Sequence, residues 1–191
     1  MKSYFDRSID ESIASINSLR ESWEAVNNAV NMISRSLQAD GTIFFIGNGG
    51  SAADAQHAAA ELVGRLGMGV SRKPLRAIAL TTDTSALTAI ANDFGFDQIF
   101  SRQLKAIAKP GDVLVAITTS GQSANILHAA QYAVQAGVHV ISLLGPNRES
   151  VLAKKSQIAI HTEGLNTPRI QEAQGLALHI ICELVEKEFA E

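Results

Sequence analysis

Histidine, carboxylate and amide side chains stand at helical spacing in two segments that are otherwise rich in alanine and aliphatic residues. His57 and Glu61 lie four residues apart, so their side chains share one face of a helix. Such a pair can bind one metal ion or exchange protons, and it also occurs as an ordinary ion pair on a helix surface. Gln171 and His179 are roughly 80° apart around a regular helix and roughly 12 Å apart along it. We expect these two to share a site only with extended side chains or with help from another subunit, and His179 alone could be a core histidine.

Two turns that combine glycine with hydroxyl side chains are candidates for an anion site. Residues 47–51 and 118–123 each follow a β-rich run and precede a helical one. Ligands collect at such strand ends in an open α/β sheet, because the N–H groups of a helix start face outward there. The second turn offers four hydroxyls that suit a phosphomonoester, those of Thr118, Thr119, Ser120 and Ser123. Either turn alone could be a plain turn or cap, but two in one small chain favour ligand binding. The first turn does not have the spacing of a dinucleotide fingerprint.

The composition predicts a soluble globular protein with a small-molecule ligand. The 191 residues are 46% hydrophobic and 18% charged, with a net charge of −3. No basic or aromatic-interleaved patch indicates a nucleic-acid partner. No stretch approaches the roughly 18 to 20 apolar residues that span a bilayer, and charges near the N-terminus argue against a signal peptide. Cys182 has no disulfide partner within the chain. We therefore expect a cytoplasmic location, with no membrane association.

An apolar stripe runs along the N-terminal segment. Apolar residues recur in steps of three and four from Phe5 to Leu37, the pattern of one helical face. We expect any interruption near Asn27 and Asn28. An unbroken helix of this length would run about 50 Å, which exceeds the width of a small domain. Part of the stripe in segment 1–38 should therefore pack on another subunit, which predicts a homo-oligomer.

The remainder of the chain, residues 39–191, alternates β-rich and helical runs. Continuous apolar strands between helices indicate a parallel sheet covered on both faces, a three-layer αβα sandwich of the α/β class. Strands are expected at 42–46, 75–80, 112–117, 138–143 and 157–161. Helices are expected at 51–66, 84–108, 123–136 and 148–153. A last helix should run to about Phe189, with Thr167 as N-cap and Pro168 at the first helical position. No linker or repeat interrupts this pattern, so we predict a single domain over residues 1–191.

Together these segments resemble the SIS-domain family of sedoheptulose 7-phosphate isomerases, also called phosphoheptose isomerases. The resemblance covers nearly the whole chain, from the N-terminal helices to Glu186. A SIS fold alone is shared by many sugar-phosphate binders, and the pairs His57/Glu61 and Gln171/His179 make the resemblance more specific. The other motifs that carry it lie at 47–57, 61–65, 92–95, 119–125 and 169–172.

The resemblance implies a SIS fold with a five-stranded parallel sheet, a homotetramer with active sites at subunit interfaces, and one Zn2+ per subunit. The implied metal ligands are His57, Glu61, Gln171 and His179. The implied contacts to the sugar are Asn48, Gly49, Gly50, Asn92 and Asp93, together with Glu61 and Gln171. The implied contacts to the phosphate are Thr118, Thr119, Ser120 and Ser123. Asn92 and Asp93 end a helical run, where such residues also serve as caps.

The implied activity is aldose–ketose isomerisation through an enediol, converting D-sedoheptulose 7-phosphate to D-glycero-D-manno-heptose 7-phosphate for heptose precursors of cell-surface polysaccharide. Glu61 is the candidate base and His179 the candidate acid. One alternative is a non-catalytic SIS module that binds a sugar phosphate or a protein partner, as in the relative that assists the replication initiator. Such a module has no need of Glu61 and His179, so their presence favours the enzyme. Another alternative is an isomerase for a shorter sugar phosphate, such as an arabinose 5-phosphate.

Two positions depart from the family's pattern. A histidine is usual three residues after the glutamine of the last motif, and this chain has Gln174 there. Glutamine does not titrate near neutral pH, so it cannot relay protons as histidine does. Residues 145–148 also lack the Gly-Gly turn expected at the rim of the crevice.

Overall fold

A five-stranded parallel sheet organises the chain, as the alternating pattern predicts. The structure is a computed structural model that describes residues 1–67 and 71–190. The strands are β1 Ile43–Gly47, β2 Ala77–Ala79, β3 Val113–Thr118, β4 His139–Leu144 and β5 Ile158–His161, and their order across the sheet is β2-β1-β3-β4-β5. The helices are α1 Lys2–Ser18, α2 Trp23–Gln38, α3 Gly50–Val63, α4 Thr84–Phe94, α5 Ile99–Ile107, α6 Ala124–Gln135, α7 Val151–Lys155 and α8 Thr167–Glu188. Short 3-10 turns lie at Leu19–Ser22 and Phe96–Gln98.

Helices cover both faces of the sheet, which confirms the three-layer sandwich. One core joins α2, α3 and α8 to side chains such as Ile43 and Val115. The other joins α5 and α6 to Phe44, Leu114 and their neighbours. Every residue of β1 and β3 is buried, because a parallel strand covered on both faces exposes neither side to water.

The register of β1 and β3 brings the two glycine- and hydroxyl-rich turns together. Gly47 lies opposite Ile117, so both strands end at the same edge of the sheet. Residues 48–51 follow β1 and lead into α3, and residues 118–123 run from the last residue of β3 to the residue before α6. The parallel arrangement therefore places both turns side by side at the carboxyl edge, where ligands collect in such sheets.

Several boundaries differ from the predicted ones. The N-terminal stripe breaks at Leu19–Ser22 and not near Asn27 and Asn28. The run expected as one helix over 84–108 is two helices, because Gly95 adopts φ 90°, a left-handed conformation that ends α4. The N-cap of α8 is Asn166 and not Thr167, since the Asn166 side chain accepts a hydrogen bond from the N–H of Arg169.

The N-terminal helix leaves part of its apolar stripe uncovered. Phe5, Ile9 and Ile13 of α1 are exposed, at 63%, 44% and 53%. An exposed apolar face of this kind is typical of a protein interface, so the prediction of a homo-oligomer stands as a prediction. Among residues 1–67 and 71–190, no helix combines the length and apolar composition needed to cross a membrane.

Candidate active site

Three side chains predicted from the sequence converge between α3 and α8. The Nε2 atom of His57 lies 2.9 Å from Oε1 of Glu61 on the same helix. The Nε2 atom of His179 on α8 lies 3.5 Å from Nε2 of His57. The two imidazole rings pack edge to face, with centroids 4.9 Å apart and an interplanar angle of 77°. A carboxylate and an imidazole from separate helices thus share one small region of the surface.

Small side chains allow α3 and α8 to approach each other. Ala55, Ala58 and Ala59 of α3 are buried, and Ala58 presents its carbonyl oxygen 3.8 Å from Sγ of Cys182 on α8. Alanine has high helix propensity and adds little bulk, so it suits a helix that packs closely on its neighbour. The polar groups stand at the rim of this contact, where the Glu61 side chain is 20% exposed and that of His57 is 53% exposed.

The donor atoms of this cluster suit a zinc ion. Two imidazole nitrogens and one carboxylate oxygen are a common zinc ligand set. Two ligand atoms that each lie about 2.0–2.1 Å from a tetrahedral zinc are about 3.4 Å from each other. The distance of 3.5 Å between the Nε2 atoms of His57 and His179 matches that separation. Across residues 1–67 and 71–190, however, no group of three or more His, Cys, Asp or Glu side chains is preassembled to hold a metal. The residues fit zinc in their chemistry, and the zinc site stays a prediction.

A cavity of about 360 Å3 lies at the carboxyl edge of β1 and β3. Eight of the predicted substrate-binding residues line it, namely Asn48, Gly49, Gly50, Thr118, Thr119, Ser120, Ser123 and Gln171. Ser51, Ile117 and Thr167 complete the lining. The structure therefore brings the two turns and the first part of α8 around one space of the size that a sugar phosphate requires.

The second turn presents donors in a geometry that suits an anion. Ser123 is the N-cap of the twelve-residue helix α6, and its hydroxyl makes no capping hydrogen bond there. The hydroxyl of Ser120 accepts a bond of 3.2 Å from the N–H of Gln122. That of Thr118 accepts a longer one, 3.4 Å, from the N–H of Gly121. Hydroxyls that accept from the backbone can still donate outward, so this turn can donate several hydrogen bonds to one phosphate.

Gln171 links the cavity to the first turn. A Cβ atom added to Gly50 would lie only 2.7 Å from Nε2 of Gln171, so the amide packs directly against the backbone of the first turn at this residue. Gly49 adopts φ 57° at the start of α3, a conformation that glycine reaches without strain. The backbone conformation of the turn therefore favours glycine at position 49.

Comparison with known proteins places the chain in a family. The SIS domain model matches residues 5–145. The phosphoheptose isomerase of Syntrophotalea carbinolica is 48% identical over 169 residues, which covers 88% of this chain and 85% of the relative. That of Sulfurimonas denitrificans is 43% identical and covers 98% and 96% of the two chains. The chain belongs to the phosphoheptose isomerases of the SIS-domain family.

Solved structures of phosphoheptose isomerases share the fold. The enzyme from Neisseria gonorrhoeae has a TM-score of 0.88 at 39% identity, covering 97% of this chain and 98% of that one. The enzyme from Francisella tularensis has a TM-score of 0.86 at 35% identity, covering 97% and 96%. The expected resemblance to phosphoheptose isomerases is thus confirmed over nearly the whole length.

Three of the eleven residues expected to contact the substrate lie outside the cavity: Glu61, which stands in the cluster with His57 and His179, and the neighbours Asn92 and Asp93. Asn92 and Asp93 are exposed near the end of α4, and the Asn92 amide donates a 2.8 Å hydrogen bond to the Asp93 carboxylate. Neither lines the cavity between the two turns within this chain. Their contact with substrate remains a prediction, and it agrees with the expectation that the family's active sites lie at subunit interfaces.

Two of the positions that depart from the family's pattern, Gln174 and Gly145, are buried against the second turn. Gln174 is fully buried and donates a 3.4 Å hydrogen bond from Nε2 to the carbonyl oxygen of Thr118, while its own oxygen has no protein partner. It thus braces the end of β3. At Gly145 a Cβ atom would lie 2.3 Å from the carbonyl oxygen of Thr119, so this position requires glycine even without a Gly-Gly turn.

Sequence reasoning missed four residues around the site. Asp54 lies one turn before His57, and burial raises its pKa, opposed by the charges of His57 and His179. Its spacing of three from His57 was a visible signal. The others, Asn125, Arg72 and Glu186, contact residues far away along the chain, so no local pattern reveals them.

Another cavity lies at the opposite edge of the sheet. It measures about 560 Å3 and is lined by residues such as Arg35, Gly111 and His139. None of the predicted site residues borders it. His128 is exposed, and the Nδ1 atom of His161 lies 3.0 Å from the carbonyl oxygen of Gly145, as expected for surface and structural histidines.

Proposed function

We propose that this protein isomerises D-sedoheptulose 7-phosphate to D-glycero-D-manno-heptose 7-phosphate. The observation that carries the proposal is the meeting of Glu61 and His179, through His57, on the same helix pair that borders the hydroxyl-lined cavity. Relatives at 43–49% identity are phosphoheptose isomerases, which supports the same activity. An anion-binding turn and an acid–base pair are the two parts that a phosphosugar isomerase needs.

The first half of the reaction forms the enediol. The hydroxyls of Thr118 to Ser123 and the N-terminus of α6 hold the phosphate, so the other end of the sugar extends toward α3 and α8. The Glu61 carboxylate takes a proton from C1 of the ketose, and the electron pair of that C–H bond forms the C1=C2 double bond. The electrons of the C2 carbonyl move to its oxygen, which takes a proton from the His179 imidazolium.

The second half restores a carbonyl at C1. The neutral His179 imidazole takes the proton of the C1 hydroxyl, the C1 carbonyl forms, and the protonated Glu61 returns its proton to C2. His57 lies between the two groups and orients the Glu61 carboxylate through the 2.9 Å contact. When bound by His57, Glu61, Gln171 and His179, a zinc ion would supply a Lewis acid that polarises the carbonyl oxygen, or it would order these side chains. A direct bond from zinc to Glu61 or His179 would compete with proton transfer by that residue, so the two roles would belong to different stages of the reaction.

The proposal includes an assembly and a location. We infer a homotetramer, supported by the exposed apolar residues Phe5, Ile9 and Ile13 of α1. It is also supported by Asn92 and Asp93, which do not line the cavity of their own chain. A reducing cytoplasm suits the buried free thiol of Cys182. The single-domain organisation over 1–191 stays a prediction as well.

The test is direct. Purified protein is incubated with sedoheptulose 7-phosphate, and the aldoheptose phosphate is followed by NMR with and without a chelator. Formation of the aldose phosphate supports the proposal, and its loss with chelator and return with added Zn2+ supports the metal. Binding of the sugar phosphate without any turnover under both conditions would favour the non-catalytic module. Turnover of arabinose 5-phosphate in place of the heptulose would favour the isomerase for a shorter sugar.

A further inference from the structure

Two asparagines join the turns of the candidate site by a paired amide contact. Nδ2 of Asn48 donates a 2.9 Å hydrogen bond to Oδ1 of Asn125, and Nδ2 of Asn125 donates a 2.8 Å hydrogen bond to Oδ1 of Asn48. The N–H of Ile126 donates a further 2.9 Å bond to Oδ1 of Asn125. Each amide thus donates to and accepts from the other, and the backbone of α6 fixes the orientation of the pair.

The pair extends the contact between β1 and β3 beyond the sheet. The last paired residues of these strands are Gly47 and Ile117, and Asn48 is the next residue after Gly47. Asn125 stands in the first turn of α6 and is only 2% exposed. A buried amide that loses its partner bears the full cost of its desolvation, so the closed pair is strongly favoured over an open one. The first turn is therefore tied to the helix that follows the second.

Asn125 influences the cavity without bordering it. Asn48 lines the cavity, whereas Asn125 is absent from its lining among the described residues. The pair occupies one N–H and one lone pair of the Asn48 amide, which leaves the other N–H and lone pair for a ligand. Asn125 therefore fixes the orientation in which the Asn48 amide faces a ligand in the cavity.

We propose that Asn125 is a positioning residue that fixes the spacing between the sugar-binding turn at Asn48 and the phosphate-binding turn at 118–123. This inference rests on the proposed function, because it assumes that one substrate contacts both turns. With the phosphate held on one side and the reacting carbons near Glu61 and His179 on the other, a small change in this spacing misplaces the reacting carbons. Misplacement by about 1 Å can lower a rate by about a hundredfold.

The experiment compares Asn125→Leu, which keeps the volume and removes the amide, with Gln131→Leu as control. Gln131 is an exposed amide on the same helix α6 and away from the cavity. For Asn125→Leu we expect kcat with sedoheptulose 7-phosphate to fall about tenfold and KM to rise several-fold, and for the control we expect both to stay at the wild-type values. Asn125→Asp should have a smaller effect than Asn125→Leu, since a carboxylate cannot donate to Oδ1 of Asn48 but still accepts from Nδ2 of Asn48 and from the N–H of Ile126.

A double variant tests whether Asn125 acts through Asn48. In an Asn48→Ala background, Asn125→Leu should change kcat/KM by less than about twofold, because the contact that it removes is already gone. If the two effects multiply, or if Asn125→Leu lowers only the melting temperature with kcat and KM unchanged, the inference is wrong. Should Asn125→Leu not fold, Asn125→Ser is measured with the same expectations.

Failure of the proposed function would be recognised separately. A wild-type protein that does not turn over sedoheptulose 7-phosphate refutes the proposed function. The role of the Asn48–Asn125 pair is then tested by calorimetry with inorganic phosphate. Phosphate binding to Asn125→Leu should then be at least about fivefold weaker than to the wild type, because the turn at 118–123 loses its tether. Equal binding by both proteins would overturn the inference.

Discussion

Replacing Arg72 by methionine should destabilise the protein through a single buried ion pair. Nε of Arg72 lies 3.0 Å from Oε1 of Glu186, and the two side chains are only 1% and 3% exposed. The Glu186 carboxylate also accepts hydrogen bonds from the N–H groups of Leu66 and Gly67, at 3.0 and 2.7 Å. In Arg72→Met the carboxylate would stay buried with those two backbone donors and without its countercharge.

The guanidinium also closes the end of α3. Its terminal nitrogens donate to the carbonyl oxygens of Glu61 and Leu62, at 2.7 and 2.9 Å. These carbonyls belong to the last turn of the helix, which has no further N–H groups of its own to satisfy them. The same arginine therefore ties the helix that carries Glu61 to Glu186 on α8, seven residues after His179.

The expected magnitude follows from this burial. Removing one partner of a buried ion pair costs about 3–5 kcal/mol, because an uncompensated charge remains in the interior. Lys187→Met is the matched control, since Lys187 pairs with Glu183 on the surface of α8 at 3.0 Å with side chains 65% and 52% exposed. An exposed pair of this kind contributes about 0.3–0.5 kcal/mol.

Urea unfolding at pH 7, followed by circular dichroism at one protein concentration, measures both variants. Arg72→Met combined with Glu186→Leu should recover much of the loss, because the double variant leaves no charge buried alone. The reasoning is refuted if Arg72→Met loses no more free energy of unfolding than Lys187→Met. It is also refuted if the double variant is less stable than Arg72→Met.

The remaining predictions concern pH, the phosphate turn and the buried thiol. Burial opposes ionisation of Glu186, but hydrogen bonds from two backbone N–H groups and Arg72 outweigh it and lower its pKa below the ordinary 4.5. The ionised carboxylate therefore stabilises the fold above pH 4.5, and this stabilisation is lost as the pH falls through the folded-state pKa. Glu186→Gln should consequently make the free energy of unfolding less dependent on pH in the acid range. Ser123→Ala should raise KM for the sugar phosphate about tenfold, because a hydrogen bond to the phosphate is lost. The melting temperature should not change, because this hydroxyl makes no capping bond to α6. An unchanged KM would show that Ser123 does not bind the phosphate. Burial raises the pKa of the Cys182 thiol to about 12, so the folded protein should not react with a thiol reagent at pH 8, and rapid labelling would contradict its burial.

The sheet and the two turns could be predicted because their signals are local. Buried parallel strands read as continuous apolar runs, and glycine with hydroxyl residues marks the turns after them. The pair His57 and Glu61 was visible for the same reason, since four residues make one helical turn. The end of α4 was also readable in principle, because Gly95 stands where the helix stops, but the apolar pattern continues past it into α5.

The contacts that complete the site depend on packing between distant segments. His57 and His179 are separated by 122 positions, Asn48 and Asn125 by 77, and Arg72 and Glu186 by 114. No periodicity encodes such pairs, because they exist only once α3, α6 and α8 are packed against the sheet. Helix geometry alone also suggested that Gln171 and His179 are too far apart for one site. The structure agrees with this geometry within one chain: His179 lies against His57, whereas the Gln171 amide packs against Gly50 and makes no contact with the histidine cluster among the described residues.

Turnover of sedoheptulose 7-phosphate by Glu61→Gln tests the central claim most directly. The change keeps the size of the side chain and removes the base, so kcat should fall by at least about a hundredfold while the sugar phosphate still binds. The variant is compared with the wild type by NMR of the product and by calorimetry of inorganic phosphate binding to the turn at 118–123. A variant that binds phosphate normally and turns over near the wild-type rate would show that the carboxylate meeting His57 and His179 does not perform the reaction.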